Sequence, residues 1–571
     1  MACKLYCRVI LFTMVLNRAA TVQGQEAYDP YHYTIQKRTE CTQGAVVSAH
    51  PLASRVGLAI LKQGGNAVDA AIATQFALAV VYPGAGNLGG GGFMVACLSG
   101  GKKIALDFRE KAPGKASRNM YLDAHGNAQL NLSQDGHLAS GVPGTVAGIF
   151  AELRYAKLPV KTLIQPAIDL AEKGFVITSA EARALNENQS DFKKFNTVTP
   201  VFVRDEPWKA GDTLVQKDLA QTLKLIRDLG AKGFYEGETA RLIFEEMKRG
   251  NGLITYADLK NYVAKERTPS IFNYKGNYTI VTMPLPSSGG VLLPQMMRMV
   301  EDQPLRAFGF ETVKSVHLMT EVERLAFADR AKFLGDRDYY KVPVKTLISY
   351  PYIYARMQLY KPDTANYSTD IEAGNIQPES EETTHLNTYD HEGNAVSITT
   401  TLNGEYGCRT VVGGAGFFLN NEMDDFSIKP GVPNMFGAIG GDANAIVPGK
   451  RMLSSMTPTI VLRKDNPFLI VGTPGGTTIP TSVFQTLINI IEFNMSTVDA
   501  VNKPKFHHQW QPDVIYVEKD FPVSIRGELQ QMGYKIQQRE AIGRTEVIKI
   551  LSDGQIEAVA DKRGDDAAEG Y

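Results

Sequence analysis

Residues 381–403 read EETTHLNTYDHEGNAVSITTTLN, and six of these positions are threonine: 383, 384, 388, 399, 400 and 401. A hydroxyl needs a base to act as a nucleophile, and the chain lacks the G-x-S-x-G elbow of α/β-type serine hydrolases. One chemistry dispenses with a histidine. If the chain breaks in front of Thr383, that residue gains a free α-amine with a pKa of about 7.7–8.0, fit to take the proton of its own hydroxyl. The rival reading is plain: threonine packs well on a pleated surface, and two alternating runs joined by D-H-E-G form a hairpin.

Other polar groups recur on predicted strand ends and loops between 383 and 476: Thr383, Thr401, Asn403, Glu422, Asp425 and the pair Ser454–Ser455. In GTPGGTTIP, Gly475 and Gly476 follow an apolar strand and precede a helix. They could aim consecutive N–H groups at an oxyanion, or simply serve a turn that needs positive φ. NLGGGG lies between a helix and a strand, the reverse of a phosphate loop, and reads as close backbone approach. No His or Cys grouping has metal-ligand spacing, and His385, His507 and His508 read as structural hydrogen bonders or core.

These residues need a scaffold. The chain has 571 residues, 44% hydrophobic and 21% charged, with 60 basic against 61 acidic side chains. That balance lacks the basic bias that nucleic acid or an anionic membrane surface calls for. The first residues, MACKLYCRVILFTMVLNRAATVQGQEAY, have a basic start, a short apolar core and small residues after it, the grammar of a secretory signal. The apolar core falls short of the about 20 residues that span a bilayer. Beyond the leader, Cys41, Cys97 and Cys408 are too few and too widely spaced for a disulfide framework. A strand and two helices over residues 44–83, two strands after NLGGGG, and a helix-rich stretch over about 145–265 are expected. A further helical block follows PLPSSGG and runs to about residue 335. Residues 360–382 read as an exposed polar linker, and the last third as seven strands interrupted by one helix, TSVFQTLINIIEFNM. Helices feeding into strands predict a layered α/β or α+β protein.

Longer strings carry a resemblance. TTHLNTYDHEGNAVSITTTLN, GFFLNNEMDDFS, GGDANAIVPGKRMLSSMTPTIV and GTPGG resemble the light subunit of gamma-glutamyltransferases, also called glutathione hydrolases. LKQGGNAVDAAIATQFALAVVYPGAGNLGGGGFMV, ALDFREKAP, LASGVPGTVAG and MPLPSSGG are similar to the heavy-subunit motifs, in order, from about residue 44 to the end. The resemblance implies an α+β, N-terminal nucleophile hydrolase fold, a four-layer αββα sandwich made by a precursor that cuts itself. It implies a signal peptide over residues 1–24, a large subunit 25–382 and a small catalytic subunit 383–571, which stay together as a heterodimer. No cofactor and no metal is implied. The partners are small molecules, and membrane anchoring is not expected of an exported, periplasmic or secreted protein.

The same resemblance assigns roles. Thr383 would be the nucleophile, first on the carbonyl of Glu382 and then on substrates, with Thr401 bonded to it and Gly475 and Gly476 as the oxyanion hole. Arg109, Ser454 and Ser455 would hold the α-carboxylate of a γ-glutamyl group; Asn403, Glu422 and Asp425 its α-ammonium. The acyl group would pass to water or to an amino acid or dipeptide. Three positions depart from the bacterial-type pattern: Phe436 stands where a lid tyrosine is common, Thr477–Thr478 where Ser-Arg is frequent, and Glu422 where some relatives carry glutamine. Two alternatives remain, an acylase acting on a dicarboxyl antibiotic side chain and a non-catalytic homologue.

Overall fold

The structure, a computed structural model, describes residues 28–372 and 384–571. The expected leader and the Glu382–Thr383 junction therefore lie outside the described residues.

Two seven-stranded antiparallel sheets organise the chain. The first runs, in spatial order, Arg38–Cys41, Ile556–Val559, Glu546–Ile550, Asn466–Gly472, Thr459–Arg463, Tyr278–Thr282 and Ser270–Tyr274. The second runs Ala567–Gly570, Ala45–Ser48, Thr384–Tyr389, Ala395–Thr401, Gly91–Cys97, Lys103–Asp107 and Lys265–Arg267. Each of these two sheets mixes strands from both sides of residue 383, whereas two minor sheets, Phe175–Val176 with Thr213–Leu214 and Phe506–His507 with Ile515–Glu518 and Ile536–Arg539, each lie within one segment.

Alternation along the strands builds the layers. Phe93 and Val95 of the second sheet meet Ile460, Leu462, Ile470 and Ile548 of the first in a core between the sheets. Their neighbours Met94 and Ala96 point the other way, into a core shared with helices Pro51–Lys62, Ala67–Val81 and Val160–Lys173. On the far side Val461, Leu469 and Val471 pack under helices Gly289–Glu301, Val313–Phe333 and Thr478–Ile491. The order is helices, sheet, sheet, helices. Strands covered on both faces must be apolar on both, which is why GGFMVAC reads as a continuous run. Helix Ala67–Val81 is buried along its whole length and starts at a reciprocal cap, Asn66 with Asp69.

The seven strands expected after residue 383 all form. Two further helices, Thr497–Asn502 and Val523–Gln531, join the one expected there. Over its described part the polar linker is mostly exposed, as expected, but Ala365, Asn366, Ser368 and Ile371 are buried and anchor it. Asn366 Nδ2 donates to Glu321 at 2.8 Å, and Ser368 N donates to Asp513 at 2.9 Å. A polar segment can be interior when buried charges supply its partners. Cys41, Cys97 and Cys408 are buried free thiols. Among the described residues no helix is long and apolar enough to cross a membrane.

Candidate active site

The Thr-rich stretch forms the expected hairpin. Strand Thr384–Tyr389 pairs with Ala395–Thr401, Thr384 opposite Thr400, around a turn in which Asp390 accepts the N–H groups of Glu392 and Asn394. Thr401 closes the second strand opposite Gly91. The glycine run fixes that end. A Cβ on Gly90 would stand 2.0 Å from the Thr401 carbonyl, and one on Gly89 would stand 2.1 Å from the Phe418 carbonyl. Asn87 Nδ2 donates to the same Thr401 carbonyl at 3.0 Å. NLGGGG is thus a close-approach device that seats Thr401, not a phosphate cradle.

Past Thr401 the chain turns through Asn403 at φ 78°, the left-handed region. Asn403 N donates to Thr401 Oγ1 at 2.7 Å, and its amide Nδ2 donates to the Asn421 carbonyl at 3.1 Å. Residues Glu422–Asp425 form one 3₁₀ turn. Side chains three apart eclipse in such a turn, so Glu422 and Asp425 face one side together. There they meet Arg109, two residues beyond strand Lys103–Asp107. Its Nη1 contacts Glu422 Oε2, its Nη2 contacts Asp425 Oδ2, and Glu110 Oε2 stands 3.5 Å from Nη1. Arg109 also donates to the carbonyls of Met452 and Leu453, 3.4 and 3.3 Å away, immediately before Ser454.

One buried guanidinium therefore faces three carboxyl groups. Burial raises the pKa of Glu422 well above the carboxylate range and that of Glu110 to about 8, with Arg109 opposing both shifts. Asp425 is raised by burial against the pull of Arg109 and Arg330. Burial disfavours the charge on Arg109, but Glu422 and Asp425 outweigh it and lift its pKa. The other carboxyl of the turn, Asp424, faces away and accepts Met435 N at 2.6 Å, tying the 430–440 loop to the turn.

Arg109, Thr401, Asn403, Asp425, Ser454, Ser455, Phe436 and Gly476 line one tight cavity of about 20 Å³, room for roughly one water. Glu422 is at its edge through Arg109. Gly475 (φ 130°) and Gly476 (φ 49°) turn the chain from strand Asn466–Gly472 toward helix Thr478–Ile491, where a side chain would be strained. The Phe436 ring covers Gly476. Of the expected site residues, only Thr383 lies outside the described residues; the others converge on this cavity or its rim.

Three contributors were not legible in sequence. Arg330 lines the cavity from the long helix Val313–Phe333. Asn434 Nδ2 donates to Asp425 Oδ1 at 2.7 Å. Gln509 joins two departures from the family pattern: Thr477 Oγ1 donates to its Oε1 at 2.7 Å, and its Nε2 donates to the Phe436 carbonyl at 3.3 Å. A charge in a helix ordinarily reads as solvated, so Arg330 carried no local signal. His385 is a neutral wedge, its pKa driven to about 3 by burial, bonded to Thr399 and Asn387. His507 and His508, lowered by burial to about 3 and 4, are likewise interior.

The helix–sheet–sheet–helix layering is shared with solved enzymes. The structure is similar to cephalosporin acylase from Bacillus halodurans, with TM-score 0.81 and 26% identity, covering 95% of this chain and 99% of that one. Residues 53–571 match the model of the Gamma-glutamyltranspeptidase family, and the chain belongs to that family. It is 44% identical over 534 residues to the glutathione hydrolase proenzyme of Escherichia coli (strain K12), 93% of this chain and 92% of that one. The crystal structure of Helicobacter pylori gamma-glutamyltranspeptidase is similar at 45% identity and TM-score 0.56, covering 60% of this chain and 97% of that chain.

Proposed function

We propose that the chain is an exported proenzyme that cuts its own Glu382–Thr383 bond and then cleaves γ-glutamyl amides, glutathione among them. The observation that carries this reading is the convergence of a guanidinium, paired carboxylates, paired serines and a glycine turn at the end of the threonine hairpin. A γ-glutamyl group is a zwitterion at one end and an amide at the other, and this cavity offers partners for both charges. The finer fold assignment, an N-terminal nucleophile hydrolase with subunits 25–382 and 383–571, belongs to the same proposal.

In that mechanism the freed α-amine of Thr383 takes its hydroxyl proton while Oγ attacks the γ-carbonyl. Thr401 Oγ1 accepts the Asn403 N–H at 2.7 Å, and in this mechanism the same hydroxyl bonds the nucleophile. The Gly475–Gly476 turn supplies N–H donors for the oxyanion. Ser454 and Ser455, on the side of Arg109, take the α-carboxylate; Asn403, Glu422 and Asp425 take the α-ammonium, and fixing both ends orients the carbonyl. The amine leaves with a proton, and water or an acceptor amine releases the γ-glutamyl group.

The test is direct. Thr383→Ala should remain a single uncut chain on a denaturing gel; two fragments in that variant overturn the assignment. Wild-type protein should release glutamate from glutathione and from a γ-glutamyl anilide, and form γ-glutamyl-glycylglycine when glycylglycine is present. The acylase reading, favoured by the likeness to the Bacillus halodurans enzyme, requires instead a preference for a glutaryl amide that lacks the α-ammonium.

A further inference from the structure

Two guanidinium groups line the cavity, and their surroundings differ. Arg109 is met by Glu422 and Asp425, with Glu110 close by. A substrate carboxylate approaching it finds both Nη groups already occupied by carboxyl groups. Arg330 meets neutral hydroxyls: Nη2 donates to Ser455 Oγ at 3.2 Å and Nε to Ser288 Oγ at 3.4 Å. It is buried, and although burial lowers its pKa to about 10, with Asp425 opposing, it stays charged at neutral pH.

That contact constrains the serines. A guanidinium donates and cannot accept, so Ser455 Oγ must be the acceptor, and its single proton points elsewhere. Ser454 Oγ accepts the N–H of Met456 at 3.2 Å, with the same consequence. Two neighbouring hydroxyls are thus each left with a proton to give, beside a cation that no acid among the described residues contacts. Such an arrangement fits an anion.

We infer that Arg330 is a positioning residue for the donor's α-carboxylate: it holds Ser455 as a hydrogen-bond donor and places a positive charge beside the serines, where the Nη groups of Arg109 are already taken by Glu422 and Asp425. The inference rests on the γ-glutamyl reading above, and its test separates the two. The probes are a γ-glutamyl anilide and the 4-aminobutyryl anilide, which is the same acyl chain without the α-carboxylate. With Arg330→Gln, kcat/KM on the γ-glutamyl anilide should fall by about 10- to 100-fold, chiefly through KM, because a charged hydrogen bond is lost. The fall on the 4-aminobutyryl anilide should be less than about threefold. Ser455→Ala should show the same selectivity, Arg330→Lys an intermediate one, and the double variant Arg330→Gln/Ser455→Ala should be little worse than the stronger single.

Equal losses on both substrates would make Arg330 a structural residue and overturn the inference. A wild-type enzyme indifferent to the α-carboxylate would overturn the γ-glutamyl reading itself. Should Arg330→Gln fail to fold, the same ratio is read in Arg330→Lys and Ser455→Ala, and an unchanged ratio in both overturns the inference.

Discussion

The ring of Phe436 rests on the backbone of Gly476: a Cβ at 476 would stand 2.7 Å from a ring carbon. The lid ring and the glycine turn are therefore one packed unit. Gly476→Ala would both force the ring away and hold a non-glycine residue at φ 49°, a conformation that costs about 1 kcal/mol. If the turn supplies oxyanion donors, kcat on a γ-glutamyl anilide should fall by about 100-fold with a small change in Tm. Steady-state kinetics beside a thermal melt check this.

Phe436 carries no hydroxyl, and beside the bonds of Met435 and Asn434 to the acidic turn its loop is tied by Gln509, which links Thr477 to the Phe436 carbonyl. Gln509→Leu preserves bulk and removes both bonds. A net loss of about 1 kcal/mol per bond, about 2 kcal/mol for the two, predicts a KM rise of up to about 30-fold. Progress curves with and without glycylglycine would also show whether the freed lid alters the share of hydrolysis.

Arg109 stands between Glu422 and Asp425, and a lysine cannot reach both with a flat two-pronged group. Arg109→Lys should lose at least about 100-fold in kcat/KM. Arg109→Gln, which leaves the acids without their cation, should cost about 3–5 kcal/mol of stability as well. Denaturant unfolding beside kinetics separates the two effects.

Glu152 offers a pH-dependent test far from the cavity. It is buried, its Oε2 accepts Gln75 Nε2 at 2.7 Å, and burial raises its pKa to about 8. Glu152 Oε1 and Gln75 Oε1 lack hydrogen-bond partners, which fits a protonated carboxyl. An acid whose folded pKa lies above its unfolded value of about 4.3 binds more protons when folded, so stability declines as pH rises between those values. Glu152→Gln removes that decline. Its Tm should equal or fall below wild type at pH 5 and exceed it by at least about 2 °C at pH 8, a difference melts at the two pH values would show.

Much of this was legible beforehand. The hairpin, the strands of the last third and the convergence of Thr401, Asn403, Glu422, Asp425, Ser454 and Ser455 follow from alternation, turn residues and long motifs. The buried anchors of the exposed polar stretch, Asn366 and Ser368, were not legible because their partners, Glu321 and Asp513, lie about 45 and 145 residues away. Arg330 was invisible for the same reason: nothing local distinguishes a helix charge facing Ser455 from one facing water.

By itself the sequence determined which groups could do chemistry, where strands and helices begin, and the family to which the chain belongs. Tertiary structure decided which charges cancel. Arg109 meets carboxyl groups and Arg330 hydroxyls because two sheets, each woven from both sides of residue 383, bring residues 42 to 316 positions apart within hydrogen-bond reach. Electrostatic energy depends on those distances and on burial, and neither is written in sequence order.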